Sequence, residues 1–179
     1  MNIINYIDNL PESMEREEIQ KYFEAILEMA ESGNELTDEI IAEALWELSN
    51  KQWHTYTLID SSIKARVESW VTKAWNPTNR AIFNYIIGVI AMLGIKSGLD
   101  LLNDALSQNI DEDIKTDIKS EIERLQGRVE DPYCNLRKKA LSSPHLKAGV
   151  SSARENNEKS GGHLRYDAKG RYPVGRHQL

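Results

Sequence analysis

The stretch RAIFNYIIGVIAMLGI, residues 80–95, decides the fold of this chain. From Ala81 to Ile95 it contains no charged residue, and Asn84 is its only strongly polar side chain. A helix that is apolar on every face is buried on every face. About fifteen residues are too few to cross a bilayer, which needs roughly 20. The stretch therefore predicts a central helix that is enclosed by amphipathic neighbours.

Apolar residues that recur at every third or fourth position predict amphipathic helices on both sides of the central one. We expect an all-α domain over residues 1–126, with about six helices arranged as three αα-hairpins: 13–31 with 38–49, 62–74 with 79–93, and 97–107 with 111–126. No alternating strand pattern interrupts them. Helical pairs at intervals of about 40 residues are typical of a HEAT-like array, and an irregular helical bundle is the alternative.

The composition changes at Gly127. From residue 127 onward there is no Ile, Phe, Trp or Met, whereas six of the ten glycines and three of the five prolines lie there. Too few large apolar side chains remain to form a core, so residues 127–179 are predicted to be a poorly structured extension. Within it, residues 161–176 have the pattern of a β-hairpin with Gly170 in a left-handed turn position.

Charge divides the chain at the same point. Residues 1–126 carry 11 Lys/Arg and 23 Asp/Glu, a net charge of −12, while residues 127–179 carry 11 Lys/Arg and 5 Asp/Glu, a net charge of +6. Basic residues interleaved with tyrosines suit a phosphate backbone, which makes nucleic acid a candidate partner of residues 127–179. The alternative is a solvated tail.

The sequence contains no recognisable catalytic motif. Neither phosphate-binding glycine patterns nor a G-x-S-x-G motif is present, and Cys134 and the four histidines do not have metal-ligand spacing. We therefore expect no enzymatic activity, no metal and no cofactor. A small metal-independent ribonuclease that uses His163, His177, Tyr166 and Arg171 is the enzymatic alternative.

Two features of the sequence predict the cellular compartment. A single cysteine fits a reducing compartment, and the mixed N-terminal sequence does not have the pattern of a secretory signal. The predicted location is the cytoplasm, with no membrane association.

The densest charge lies in the first predicted hairpin. Between Glu12 and Glu43 there are 11 Asp/Glu and two basic residues. This pattern predicts a surface for a cationic partner, with a solvated helix face as the alternative. Trp46 and Trp53 would be aromatic anchors if they are exposed, or would pack under residues 50–61 if they are not. The predicted partner-binding residues are Glu17, Glu24, Glu28, Glu31, Glu35, Asp38, Glu39, Trp46 and Trp53.

An acidic, all-helical sequence without catalytic residues resembles the immunity proteins of contact-dependent inhibition and other polymorphic toxin systems. The resemblance covers about residues 1–126 and is carried by AIFNYIIGVIAMLG (81–94), GLDLLNDAL (98–106) and the isoleucine-rich helix that follows. It implies a non-enzymatic protein that occludes the active site of a basic toxin, such as a nuclease. No family motif matches residue by residue, so no binding residue is carried over. A helical adaptor with a nucleic-acid-binding tail is the alternative function.

Overall fold

The computed structural model describes residues 3–11, 14–33, 36–127 and 129–133. In these residues the chain is all-helical, without a strand, which confirms the predicted fold class. The seven helices are α1 (Ile3–Asp8), α2 (Arg16–Glu31), α3 (Asp38–His54), α4 (Ser61–Ala74), α5 (Arg80–Leu93), α6 (Lys96–Leu106) and α7 (Glu112–Leu125). The predicted β-hairpin over 161–176 lies outside the described residues.

Side-chain caps fix where the helices begin. The Thr37 hydroxyl accepts a hydrogen bond from the Ile40 amide at 3.4 Å, and the Asp60 carboxylate accepts one from the Ser62 amide at 2.8 Å. Asn79 Oδ1 caps α5 in the same manner, and Asp111 Oδ1 caps α7. Each cap satisfies an amide that has no partner within its helix, so these residues set the register of the apolar faces.

Helices α3, α4 and α6 all contact the central helix α5. Helices α2, α4 and α6 contact one another in series, and α3 lies along α5 in the most extensive contact of the fold. The consecutive pairs α2/α3, α4/α5 and α6/α7 are also in contact, as the predicted hairpins require. Phe83, Ile86, Val89 and Ile90 on α5 are fully buried, so the central-helix prediction from residues 80–95 is confirmed.

Two features correct the sequence-based helix prediction. The prediction of about six helices lacked α1, a six-residue helix that packs on α3 through the buried side chain of Ile7. Helix α3 also continues past the predicted end at residue 49 to His54. Its added turn is stabilised by Gln52, whose Nε2 donates to the Thr57 carbonyl at 2.8 Å and to the Thr55 hydroxyl at 3.0 Å.

The helices belong to a compact unit that extends to Cys134, and a short strap (residues 129–133) follows α7. Tyr133 is buried, and its hydroxyl donates to the Gln52 carbonyl at 3.2 Å. The Val129 carbonyl crosses so close to Gly94 that a Cβ there would lie 2.5 Å from it. Gly94 also has a φ of 69°, which ends α5 in the left-handed conformation. The packed fold therefore continues beyond Gly127, where the composition changes.

Candidate functional site

The predicted acidic residues of α2 are exposed but partly balanced by α4. Glu17, Glu24, Glu28 and Glu31 all lie on the solvent-exposed surface. Arg66 on α4 binds Glu31 with both ends of its guanidinium, at 2.9 Å and 2.8 Å, and lowers the pKa of that carboxyl. The pKa of Arg66 is raised mainly by Glu31, with smaller contributions from Glu28 and Glu24. One cation thus offsets part of the negative charge of this helix.

The acidic residues predicted at the start of α3 are also at the surface. Asp38 and Glu39 are exposed in its first turn, where negative charge is favoured by the helix dipole. Glu35 lies outside the described residues. A partner could therefore reach Asp38 and Glu39. Acidic residues at these positions also stabilise the helix by themselves, without a partner.

The two predicted aromatic anchors are half-buried rather than freely exposed. Trp46 packs against Tyr85 of α5, with ring centroids 5.8 Å apart. Trp53 packs against Tyr133 of the strap, with ring centroids 4.9 Å apart. Each ring therefore has an intramolecular partner, and a binding partner would meet only part of it.

A second set of carboxylates, which the sequence-based prediction did not include as a site, continues along α3. Glu43 and Glu47 follow Glu39 at spacings of four residues, so the three form one row on the helix. We call Glu39, Glu43 and Glu47 the α3 acidic row. The i, i+4, i+8 spacing is visible in the sequence and could have revealed it. No ion pair within 4.0 Å involves any of the three in the part of the chain that the structure describes.

Burial and neighbouring carboxylates both act on the ionisable groups around this row. Burial raises the pKa of Glu47, and the charge of Asp8 at the end of α1 raises it further. Burial, then the charge of Glu43 and a hydrogen bond with its side chain, raise the pKa of Tyr85 to about 12, with smaller contributions from Glu39 and Glu47. Lys51 is the nearby cation that opposes this trend. Because Lys51 is 7% exposed and donates to the Leu10 carbonyl at 3.0 Å, it is not available at the surface.

The described residues offer neither a metal-binding cluster nor a helix that could cross a membrane. No group of three or more His, Cys, Asp or Glu there is arranged to hold a metal ion. None of the helices in those residues combines the length and apolarity that a membrane crossing needs. The ribonuclease candidates His163, Tyr166, Arg171 and His177 lie outside the described residues, as does nearly all of the basic segment proposed to bind nucleic acid.

Comparisons with protein-family models, with curated proteins and with solved structures find no significant match. No role is therefore transferred to any residue from a relative. The function has to be inferred from the geometry and charge of the helical unit itself.

Proposed function

We propose that this chain is a non-enzymatic protein-binding module, an immunity protein that neutralises a cationic toxin by covering its active site. A nuclease is the toxin class that fits best, since an active site that binds phosphates is itself positively charged. The proposed contact surface includes the exposed carboxylates of the α2/α3 hairpin and the α3 acidic row.

The observation that carries the proposal is the α3 acidic row. Like charges at i, i+4 destabilise a helix by a few tenths of a kcal/mol per pair, about 0.2–0.5 kcal/mol. Glu39, Glu43 and Glu47 form two such pairs in succession, and α3 supplies only Lys51 against them, which is directed into the fold. A partner with Lys or Arg side chains on its surface would provide the missing positive charge. The electric field of the carboxylates would also increase the rate at which such a partner associates.

Aromatic groups beside the row support a protein partner. Trp46 follows Glu43 and precedes Glu47 on α3, and Tyr85 lies against it from α5. Both rings are half-buried, so their orientation is fixed before a partner arrives. Rigid aromatic side chains bordered by charge are typical of the residues that contribute most to protein interfaces.

The decisive experiment is affinity capture from the source cell with matched variants. Wild-type protein should retain one basic protein at low salt and lose it as salt rises. The triple variant Glu39→Gln/Glu43→Gln/Glu47→Gln should lose that partner. A control variant, Asp100→Asn/Asp104→Asn/Glu123→Gln, removes the same charge from exposed positions of α6 and α7, outside the proposed contact surface, and should retain the partner. Capture of no basic protein, or equal capture by all three chains, would contradict the proposal.

The mechanism is tested on the captured protein. If it is a nuclease, one equivalent of wild-type chain should abolish cleavage of its substrate, and the triple variant should require a large excess. Binding without inhibition would support the proposed interaction but would contradict occlusion of the active site. A direct, salt-sensitive interaction of the wild-type chain with nucleic acid would favour the adaptor alternative instead.

A further inference from the structure

The turn between α3 and α4, residues 55–60, presents aromatic surface to solvent. Among the described residues only three large hydrophobic side chains are exposed, and two of them, Tyr56 at 59% and Leu58 at 44%, lie in this turn. The ring of Tyr56 is 6.4 Å from that of Tyr133, which is itself 4.9 Å from the ring of Trp53. Because Tyr133 is buried, it holds both of its neighbours in place. We call Trp53 and Tyr56 the aromatic patch.

The backbone of Tyr56 is in an unfavourable conformation. Its φ is 55°, and it is the only non-glycine residue with a positive φ in the part of the chain that the structure describes. Left-handed backbone costs free energy in any residue that has a Cβ. The turn is fixed by the Tyr56 amide, which donates to the Trp53 carbonyl at 3.3 Å, and by the hydroxyls of Thr55 and Thr57, which lie 2.8 Å apart. Strain of this kind is concentrated at binding positions, which favours a role for the exposed ring.

The surroundings of the patch favour a positively charged ligand. Trp53 lies in the last turn of α3, a helix of 17 residues whose C-terminal end carries partial negative charge. The Asp131 carboxylate lies on the strap beside the rings, since its Oδ1 accepts a hydrogen bond from the Tyr133 amide at 3.2 Å. Lys51, which is in the same turn of α3, donates to the Leu10 carbonyl and is buried.

We propose that the aromatic patch binds an arginine side chain of a cationic protein, with the guanidinium stacked on the ring of Tyr56. A guanidinium is planar and weakly hydrated, so it stacks on aromatic rings and hydrogen-bonds carboxylates at the same time, whereas the ammonium of lysine does not stack. A second copy of this chain is a poor occupant, because residues 1–126 of both copies would carry a net charge of −12. The inference rests on the proposed function for the class of partner, and it adds the side chain that is recognised and the place where it binds.

Two short peptides test the preference for arginine on the full chain without a toxin. The probes are hexa-arginine and hexa-lysine, both acetylated, amidated and fluorescently labelled, and binding is followed by anisotropy. Since His54 is exposed beside Trp53, the measurements are made at pH 8, above the range in which free histidine is charged. The wild type should bind hexa-arginine about twofold to fivefold more tightly than hexa-lysine, as one exposed cation–π contact supports. Tyr56→Asn removes the ring but tolerates left-handed backbone, and it should bind both peptides equally.

Three control variants separate stacking from net charge. Tyr56→Phe keeps the ring and should keep the preference for hexa-arginine. Tyr6→Asn removes the exposed tyrosine of α1, outside the patch, and should also keep the preference. The triple Gln variant of the α3 acidic row should weaken the binding of both peptides by the same factor. The inference is overturned if the wild type binds the two peptides with equal affinity, or if Tyr56→Asn retains the wild-type preference.

The captured partner distinguishes failure of this inference from failure of the proposed function. With a captured basic protein, Tyr56→Asn should accelerate dissociation, whereas the triple Gln variant should mainly slow association. Capture with unchanged dissociation in Tyr56→Asn would support the proposed function and contradict the arginine site. Absence of a basic partner, together with a peptide preference that depends on Tyr56, would contradict the proposed function and support the arginine site.

Discussion

Gly98 shows how strongly single residues constrain this core. A Cβ at position 98 would lie 2.6–2.7 Å from three side-chain carbons of Ile90, which is fully buried on α5. Ile90 is β-branched and packed on all sides, so it has no open rotamer into which it could move. The lack of a side chain at position 98 therefore allows α6 to approach α5 closely.

We expect Gly98→Ala to lower the free energy of unfolding by about 1–3 kcal/mol through overpacking, although alanine is the better helix former. Urea unfolding followed by circular dichroism measures the change. Asp104→Ala, at an exposed position of the same helix, is the control and should shift stability by no more than about 0.5 kcal/mol. A stabilised Gly98→Ala would show that helix propensity outweighs the predicted collision.

Tyr85 offers a titration test of its burial beside the carboxylates of the α3 acidic row. Its pKa of about 12 should be visible in the ultraviolet absorbance of the phenolate during alkaline titration, and Tyr85→Phe should remove that component. Since folding favours the neutral phenol, its contribution to stability is complete below about pH 10, the unfolded value, and is lost as the pH rises towards 12. A Tyr85 that titrates near 10 would show that neither burial nor the neighbouring carboxylates act on its phenol as described.

The strap gives the corresponding test for a segment without regular secondary structure. Tyr133 buries its ring beside Trp53 and donates to the Gln52 carbonyl. Tyr133→Ala should cost about 3 kcal/mol of unfolding free energy, as large-to-small changes of buried aromatic residues do. Tyr133→Phe keeps the ring and should cost only about 1 kcal/mol for the hydrogen bond.

Deletion variants supply the control for the strap. A chain that ends at Gln126 should be less stable than a chain that ends at Cys134, by at least the free energy of unfolding that Tyr133→Ala costs. Equal stability of the two deletion variants would mean that residues 129–133 do not contribute to the fold.

Apolar periodicity predicted the long helices well because their faces are buried by many residues at once. It predicted α2, α4, α5, α6 and α7 to within a few residues of their observed ends. It missed α1, because Ile3, Ile4 and Ile7 pack on the core within a helix of only six residues, which is shorter than the window of 11–18 residues in which periodicity can be judged. It also ended α3 too early, because the last turn buries Lys51 and Gln52, polar residues whose burial depends on distant partners.

The candidate site could be predicted only in part, because several of its features depend on contacts between residues that are far apart in the sequence. Local counting of charge identified the exposed carboxylates of α2 but not the cation that balances them, since Arg66 is 35 residues away from Glu31 along the chain. Likewise, the pairing of Trp46 with Tyr85 and of Trp53 with Tyr133 depends on tertiary contacts. The α3 acidic row has a local signal in its spacing, but its significance comes from Asp8 and Tyr85, which only the fold brings near.

Across the helical unit, charge is distributed unevenly between compensated and uncompensated faces. On α2 and α7, carboxylates are bound by arginines, as in Glu31–Arg66 and Asp117–Arg80. Along the α3 acidic row, repulsion between neighbours remains. Proteins commonly retain such destabilising arrangements where a function requires them. Stability measurements can therefore show whether charge repulsion along this row lowers the free energy of unfolding.

The double variant Glu43→Gln/Glu47→Gln tests the charge repulsion along the α3 acidic row without requiring a partner. It removes both like-charge pairs of the row, and we expect it to raise the free energy of unfolding by about 0.4–1 kcal/mol at low ionic strength. The gain should shrink as salt rises, because exposed charges are then screened. The control Glu24→Gln/Glu28→Gln relieves two repulsions on α2, Glu24–Glu28 and Glu28–Glu31, but also removes two attractions to Arg66, so its net effect should be near zero. If both variants gave the same gain, the α3 acidic row would be no more strained than any other acidic helix face, and the main support for a cationic partner would be lost.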